Sequence, residues 1–190
     1  MNVQGFFTRQ LAEIYGIDTE LKATEEVHLT RQGISNNDFA HTHKYKGLLI
    51  QNTVITEGDL LLVDGENFLT VAMRKIPFLN TNQANLLRCD TFCSVYRLVK
   101  KYDGNVITGK ERTVILDNIP CVYKDTNSRL NDFDAGFIES TLRTLYVQDT
   151  TEIKLTDMVT VNGFDYKVDS IDKSIKGVLI LRLTDDKRNG

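Results

Sequence analysis

The residue types able to do chemistry are few in this chain of 190 residues. His41-Thr42-His43 sets two imidazoles two residues apart, which on a strand puts both on one face, and Asp38 stands near enough in sequence to join them around a divalent metal. The same residues in a polar run read equally as solvated loop side chains. Cys89 and Cys93, on a strand-like run, are joined only by Cys121, so no second cysteine pair or adjacent histidine completes a zinc set. The three read as small buried hydrophobes, without a disulfide framework, and no metal or other cofactor is expected.

Catalytic signatures are missing as well. The chain has no Gly-x-Ser-x-Gly nucleophile elbow, Walker phosphate loop, dinucleotide glycine fingerprint or His-Glu-x-x-His. Asp132, Asp134 and Glu139 share one polar run, but a catalytic carboxylate pair needs a pocket and a set separation that one run does not supply. A protein that works without being an enzyme is the expectation.

Chemistry of this kind leaves the elements themselves to carry function. From Thr151 to Thr184 two alternating runs flank Asn162-Gly163, a pair that favours the tight turn matching strand twist. The expected hairpin sets Val161 opposite Phe164 and Val159 opposite Tyr166, with Val168 on the same apolar side and Met158, Thr160, Asp165, Lys167 and Asp169 on the other. Earlier in the chain the same pattern occurs with Ile55 on Ile153, Asp59 on Asp157, Val63 on Val161, Asp64-Gly65 on Asn162-Gly163 and Phe68 on Tyr166. Two related β units in tandem would produce this, and so would two unrelated Gly-turn hairpins.

The earlier hairpin differs in being apolar on both faces, with Leu61, Val63, Phe68 and Thr70 on one and Leu60, Leu62, Leu69 and Val71 on the other. It must be covered on both sides, by its own fold or by another subunit. Residues 3–16, with Val3, Phe6, Phe7, Leu11, Ile14 and Tyr15 near a three-to-four period and Gly16 as a stop, predict an amphipathic N-terminal helix. Such a helix packs on its own domain or docks on a neighbour, so Phe6, Phe7, Leu11, Leu60, Leu62, Leu69 and Val71 are candidate subunit-interface residues.

The expected organisation is an N-terminal helix and polar arm over 1–46, a first β unit over 47–85 and a larger β domain over 86–190. The 47–85 unit holds three strands and ends in a polar connection from Asn80 to Asn85. The last domain begins with a long hairpin whose tip is Asp103-Gly104-Asn105, near Lys100, Lys101, Lys110 and Arg112; these suit an acidic partner, a phosphate backbone or plain solvation. Residues 125–140, DTNSRLNDFDAGFIES, break the pattern and read as a long loop, or as a short helix around Phe133, Phe137 and Ile138. The predicted fold class is mainly β, with small antiparallel barrel or sandwich units.

Net charge is −3, with both signs interspersed, so no strong pull toward nucleic acid is implied. No run approaches the roughly 18 apolar residues of a membrane span, and the start of the chain lacks a secretion signal, which predicts assembly in the cytoplasm without a membrane.

The run SVYRLVKKYDGNVITGKE, the strand IPCVY, a long polar loop and LYVQDTTEIKLTDMVTVNGFDYKVDSI together resemble the head-completion, or stopper, proteins of tailed bacteriophages, over residues 89–184. The resemblance rests on a Leu145-Tyr146-Val147 strand end, an Ile153-to-Asp157 turn and a hairpin leading into Tyr166-Lys167-Val168. It implies a small β-barrel in a virion protein whose homo-oligomeric ring lies beneath the portal or its adaptor, meets tail-terminator or tail-tube proteins and lets viral DNA pass. In such proteins the long loop projects into the channel, which makes Asp125, Arg129, Asp132, Asp134 and Glu139 candidate channel-loop residues. Its four acids against one arginine would repel phosphate and keep DNA from sticking. The first 85 or so residues exceed this pattern, so a tail or baseplate adaptor built from the same barrel is an alternative, and a cellular β-barrel binding module is another.

Overall fold

The computed structural model describes residues 9–32, 44–77, 79–126, 142–150 and 152–185, and every regular element among them is a β-strand. The chain forms two compact units, residues 1–89 with 174–178 and residues 90–173 with 179–190.

The first unit holds β1 (Gln10–Tyr15), β2 (Leu21–Arg31), β3 (Lys44–Leu49), β4 (Leu60–Val63), β5 (Glu66–Ile76) and β6 (Thr81–Cys89). They close into an antiparallel barrel in the order β1-β2-β3-β6-β5-β4. Alternation fills its interior: Ala12, Ile14, Val27, Leu49, Leu61, Val63, Phe68, Ala84 and Leu86 point inward and are buried. Closing the sheet removes exposed edges, and the β1–β4 seam is paired from Ala12 with Val63 at one end to Tyr15 with Leu60 at the other.

The second barrel uses β7 (Thr91–Asp103), β8 (Val106–Thr126), β9 (Leu142–Gln148), β10 (Met158–Val161), β11 (Phe164–Asp172) and β12 (Val178–Asp185). Its closed order, β7-β8-β9-β12-β11-β10, is the order of the first barrel advanced by six strands. Val95, Val147, Val159, Val161, Val168, Leu145, Leu179, Leu181 and Leu183 fill it.

The repeat extends to backbone detail. Asp64 and Gly65 turn at φ 50° and 80°, Asn162 and Gly163 at 51° and 79°. These positive angles are what a two-residue hairpin of matching twist requires, and they explain why Asp/Asn followed by Gly stands at both places. The N–H of Thr70 donates to the carbonyl of Asp59 at 2.9 Å, and that of Val168 to the carbonyl of Asp157 at 2.8 Å. A bulge follows each, between Thr70 and Ala72 in one barrel and between Val168 and Ser170 in the other. Each barrel therefore repeats one unit.

The N-terminal helix is corrected. Residues 10–15 form β1, because Ala12 and Ile14 face the core while Leu11 and Glu13 face out, a period of two that the spacing of Leu11, Ile14 and Tyr15 disguised. Residues 1–8, with Phe6 and Phe7, lie outside the described residues. The polar run Thr81–Asn85 is the first half of β6 rather than a connection. Its Gln83 is buried and accepts a hydrogen bond from Arg74, which lets a polar side chain occupy a strand there. β3, Lys44–Leu49, begins before residue 47, where the first β unit was expected to start, and the stretch 1–46 expected as helix and polar arm holds β2 over Leu21–Arg31.

Candidate functional site

Two features stand out from the packed barrels, one buried and one projecting. The buried one is an aspartate at the start of the inner hairpin of each barrel. Asp59 and Asp157 are almost wholly buried, and each carboxylate accepts the main-chain N–H three residues earlier, from Thr56 at 2.8 Å and from Lys154 at 2.7 Å. This closes the turn into β4 or β10. The remaining charge is met by a cation from outside the turn: the Lys22 Nζ lies 2.6 Å from Asp59, and Arg97 grips Asp157 through Nε at 2.7 Å and a terminal nitrogen at 2.8 Å. Hydrogen bonding to Asp157 raises the Arg97 guanidinium above its ordinary pKa. The two cations come from different strands, β2 and β7, so the aspartate is the repeated element and its counter-ion is not.

These clamps are structural. Each carboxylate is buried and spent on a main-chain donor and a cation that hold its turn, and no group of three or more His, Cys, Asp or Glu able to hold a metal occurs among the described residues. His41, His43 and Asp38 lie outside those residues. Cys89 is half-buried and Cys93 and Cys121 are buried, and the Cys121 thiol donates to the Thr91 carbonyl at 3.6 Å.

The projecting feature is the outer part of the β7–β8 hairpin. Tyr15 and Tyr96 occupy equivalent places, each paired with the first residue of the inner hairpin, Leu60 or Met158. After Tyr15 the first barrel turns at once, through Gly16–Glu20. After Tyr96 the second barrel runs on to Asp103, with the turn at Gly104 in positive φ. From Val99 to Val114 every residue is exposed, so the strand pair here is a free ribbon extending roughly 17 Å at about 3.3 Å per residue.

Cross-strand pairing fixes its faces. Tyr102 faces Ile107, Lys100 faces Lys110 and Leu98 faces Arg112, and these pairs share one side; Val99 opposite Glu111 and Lys101 opposite Gly109 lie on the other. Arg112 bonds Asp165 at 2.9 Å and stacks 4.5 Å from the centre of the Tyr96 ring, which ties the base of the ribbon to the barrel. Burial, and after it the adjacent Asp165 carboxylate, push the Tyr96 phenol up to about 12. For Asp165, burial acts upward but is outweighed by the hydrogen bonds from Thr160 and Arg112 and by the neighbouring Tyr96 hydroxyl, which leave its pKa below the usual value. The Tyr96 hydroxyl nonetheless has no hydrogen bond of regular geometry in the structure.

The other interface candidates fall as follows. Leu11 is 65% exposed on the outside of β1; Leu60, Leu62 and Val71 are half-buried on the outer face of the β4–β5 hairpin; and Leu69, on the same face, is 1% exposed. Of the channel-loop candidates, Asp125 lies in β8, its backbone paired with Arg143, while Arg129, Asp132, Asp134 and Glu139 lie outside the described residues. Sequence reasoning missed the buried role of Asp59 and Asp157 although it had aligned the two; the signal was an acid at the same place before each Gly turn. Among the described residues no helix is long and apolar enough to cross a membrane. No family model, no curated protein and no solved structure matches the chain.

Proposed function

We propose that the chain is a structural virion protein of a tailed-bacteriophage neck, whose copies form a ring that extends the portal channel and docks the tail. The observation that carries this reading is the element order of the second barrel. The long hairpin around Gly104, the Pro120-Cys121 strand, the segment leading to Leu145-Tyr146-Val147 and the Asn162-Gly163 hairpin follow in the sequence that the stopper resemblance implies. A free ribbon with exposed Tyr102, Val106 and Ile107 supports it further, since such side chains on a projecting element favour a partner surface over water.

On this reading the protein acts by ring-to-ring docking with a portal or adaptor above and tail-terminator or tail-tube proteins below. Viral DNA passes through without sequence-specific binding. The test is to add purified protein to portal-bearing heads that lack it and to image the products with the chain labelled. Label at the portal vertex is the expected result. Label at the distal tail tip would replace this reading with a baseplate adaptor, and failure to bind any particle would end both.

A further inference from the structure

We infer that the β7–β8 ribbon of one copy docks on the outer face of the β1–β2 hairpin of a second copy. The inference rests on the ring-forming reading and names the surfaces that make the ring.

The ribbon is left with uncompensated charge. Lys100 and Lys110 stand directly opposite each other, an arrangement that repels, and among the described residues neither they nor Lys101 forms an ion pair. The two acids nearby do not relieve the pair: Asp103 is at the tip and Glu111 is on the opposite side, facing Val99. Tyr102, at 59% exposure, and Ile107, at 53%, continue the same side outward. A face of this kind fits a surface that is both apolar and acidic.

The equivalent hairpin of the other repeat is such a surface. On its outside Leu11 and Glu13 follow each other outward, its turn carries Ile17, Asp18 and Glu20, and Leu21 opens β2, all exposed. The Glu13 carboxylate accepts the Tyr15 hydroxyl at 2.7 Å, and Asp18 accepts the N–H of Glu20 at 3.2 Å. None of Glu13, Asp18 and Glu20 meets a cation among the described residues, whereas Glu26 is satisfied by Arg9 and Lys22 by Asp59. Carboxylates among three apolar side chains therefore match Lys100 and Lys110 beside Tyr102 and Ile107. A nucleic acid would answer the lysines but not the exposed aliphatic groups, and would leave the acidic hairpin unexplained.

The two surfaces are different parts of the chain, so the contact is head-to-tail. Repeated with a rotation that closes, it generates a ring.

The experiment uses the full chain and follows assembly by sedimentation and electron microscopy. Lys100→Glu with Lys110→Glu, and separately Glu13→Lys with Glu20→Lys, should each weaken self-association by about tenfold or more. The quadruple variant, and an equimolar mixture of the two double variants, should regain it. Matching thermal melts establish that the variants fold, and Lys100→Gln with Lys110→Gln, expected to give a smaller loss in the same direction, serves if the reversals do not. A charge-reversed ribbon that assembles like the parent overturns the inference and leaves the ring reading standing, whereas a parent chain that stays monomeric overturns both. Loss of retention of duplex DNA by the lysine variants, with assembly unchanged, overturns it in favour of a nucleic-acid partner.

Discussion

Arg97 holds Asp157 with both prongs of its guanidinium, at 2.7 and 2.8 Å, while Asp157 stays buried at the entry to β10. In the other barrel Lys22 reaches Asp59 with a single contact of 2.6 Å. A fork holds a carboxylate in one geometry, whereas a point charge does not.

The two clamps should therefore respond differently to substitution. Asp157→Ala removes a turn hydrogen bond and strands Arg97, at a cost of about 3 kcal/mol; Asp59→Ala costs about 2 kcal/mol, because the lysine can swing into water. Arg97→Lys, which keeps charge but loses the fork, costs about 1 kcal/mol. Urea unfolding midpoints rank the three, and an Asp157→Ala protein as stable as the parent would show that the turn is held by its backbone alone.

Thr156 supplies a second contrast between the repeats. Its φ is 73°, at the place where the first barrel has Gly58 at 88°. A β-branched residue there is strained by roughly 1–3 kcal/mol, partly offset by the entropy glycine loses on folding. Thr156→Gly should stabilise the protein by about 1 kcal/mol. A fall in the melting temperature would mean that the exposed threonine makes compensating contacts.

The Tyr96 phenol gives a prediction in alkaline solution. Its pKa is raised in the folded protein to about 12, first by burial and then by Asp165, above the ordinary 10.0 of an exposed tyrosine. The folded state thus disfavours the phenolate. The corresponding stability is fully present below pH 10 and is lost as pH rises from there toward 12. Tyr96→Phe removes the ionisable group, so its stability should fall less between pH 10 and 11.5 than that of the parent. Below pH 9 the two should be nearly equal, since the hydroxyl gives up no regular hydrogen bond. Denaturant titrations across this range decide it; parallel curves for the two proteins would place the Tyr96 phenol in water.

Much of this architecture is legible in the residues. Asn162-Gly163 and Asp64-Gly65 fix their hairpins because so few residue pairs tolerate two successive positive φ angles, and the pairing of Val159 with Tyr166 and of Leu61 with Phe68 follows by counting outward. The Gly104 tip is legible because glycine takes the single positive φ of that turn at no steric cost. Barrel closure is not, because the seam joins Ala12 to Val63 and Cys93 to Val161 across long stretches of chain, and nothing local marks those partners. Polar β6 is hidden too: Gln83 lacks the apolar signature of a strand, and only its partner Arg74 makes its burial tolerable. The acidic outer face of β1–β2 was obscured by reading β1 as a helix, which would have put Leu11 in the core.

That last difference can be tested directly. In a helix Leu11, Ile14 and Tyr15 share a face, so truncating Leu11 or Ile14 would cost similar amounts. In the strand Ile14 is inside, fully buried against Leu61 across the seam, and Leu11 is outside. Ile14→Ala should cost about 2–5 kcal/mol, and Leu11→Ala should stay within about 0.5 kcal/mol of the parent under conditions where the chain is monomeric. Ala12 sharpens the contrast, since it is buried opposite Val63 and has no room to grow: Ala12→Leu should destabilise by about 1–3 kcal/mol through overpacking. Equal losses for Leu11→Ala and Ile14→Ala, with Ala12→Leu neutral, would return residues 10–15 to a helix and with it dismantle the first barrel.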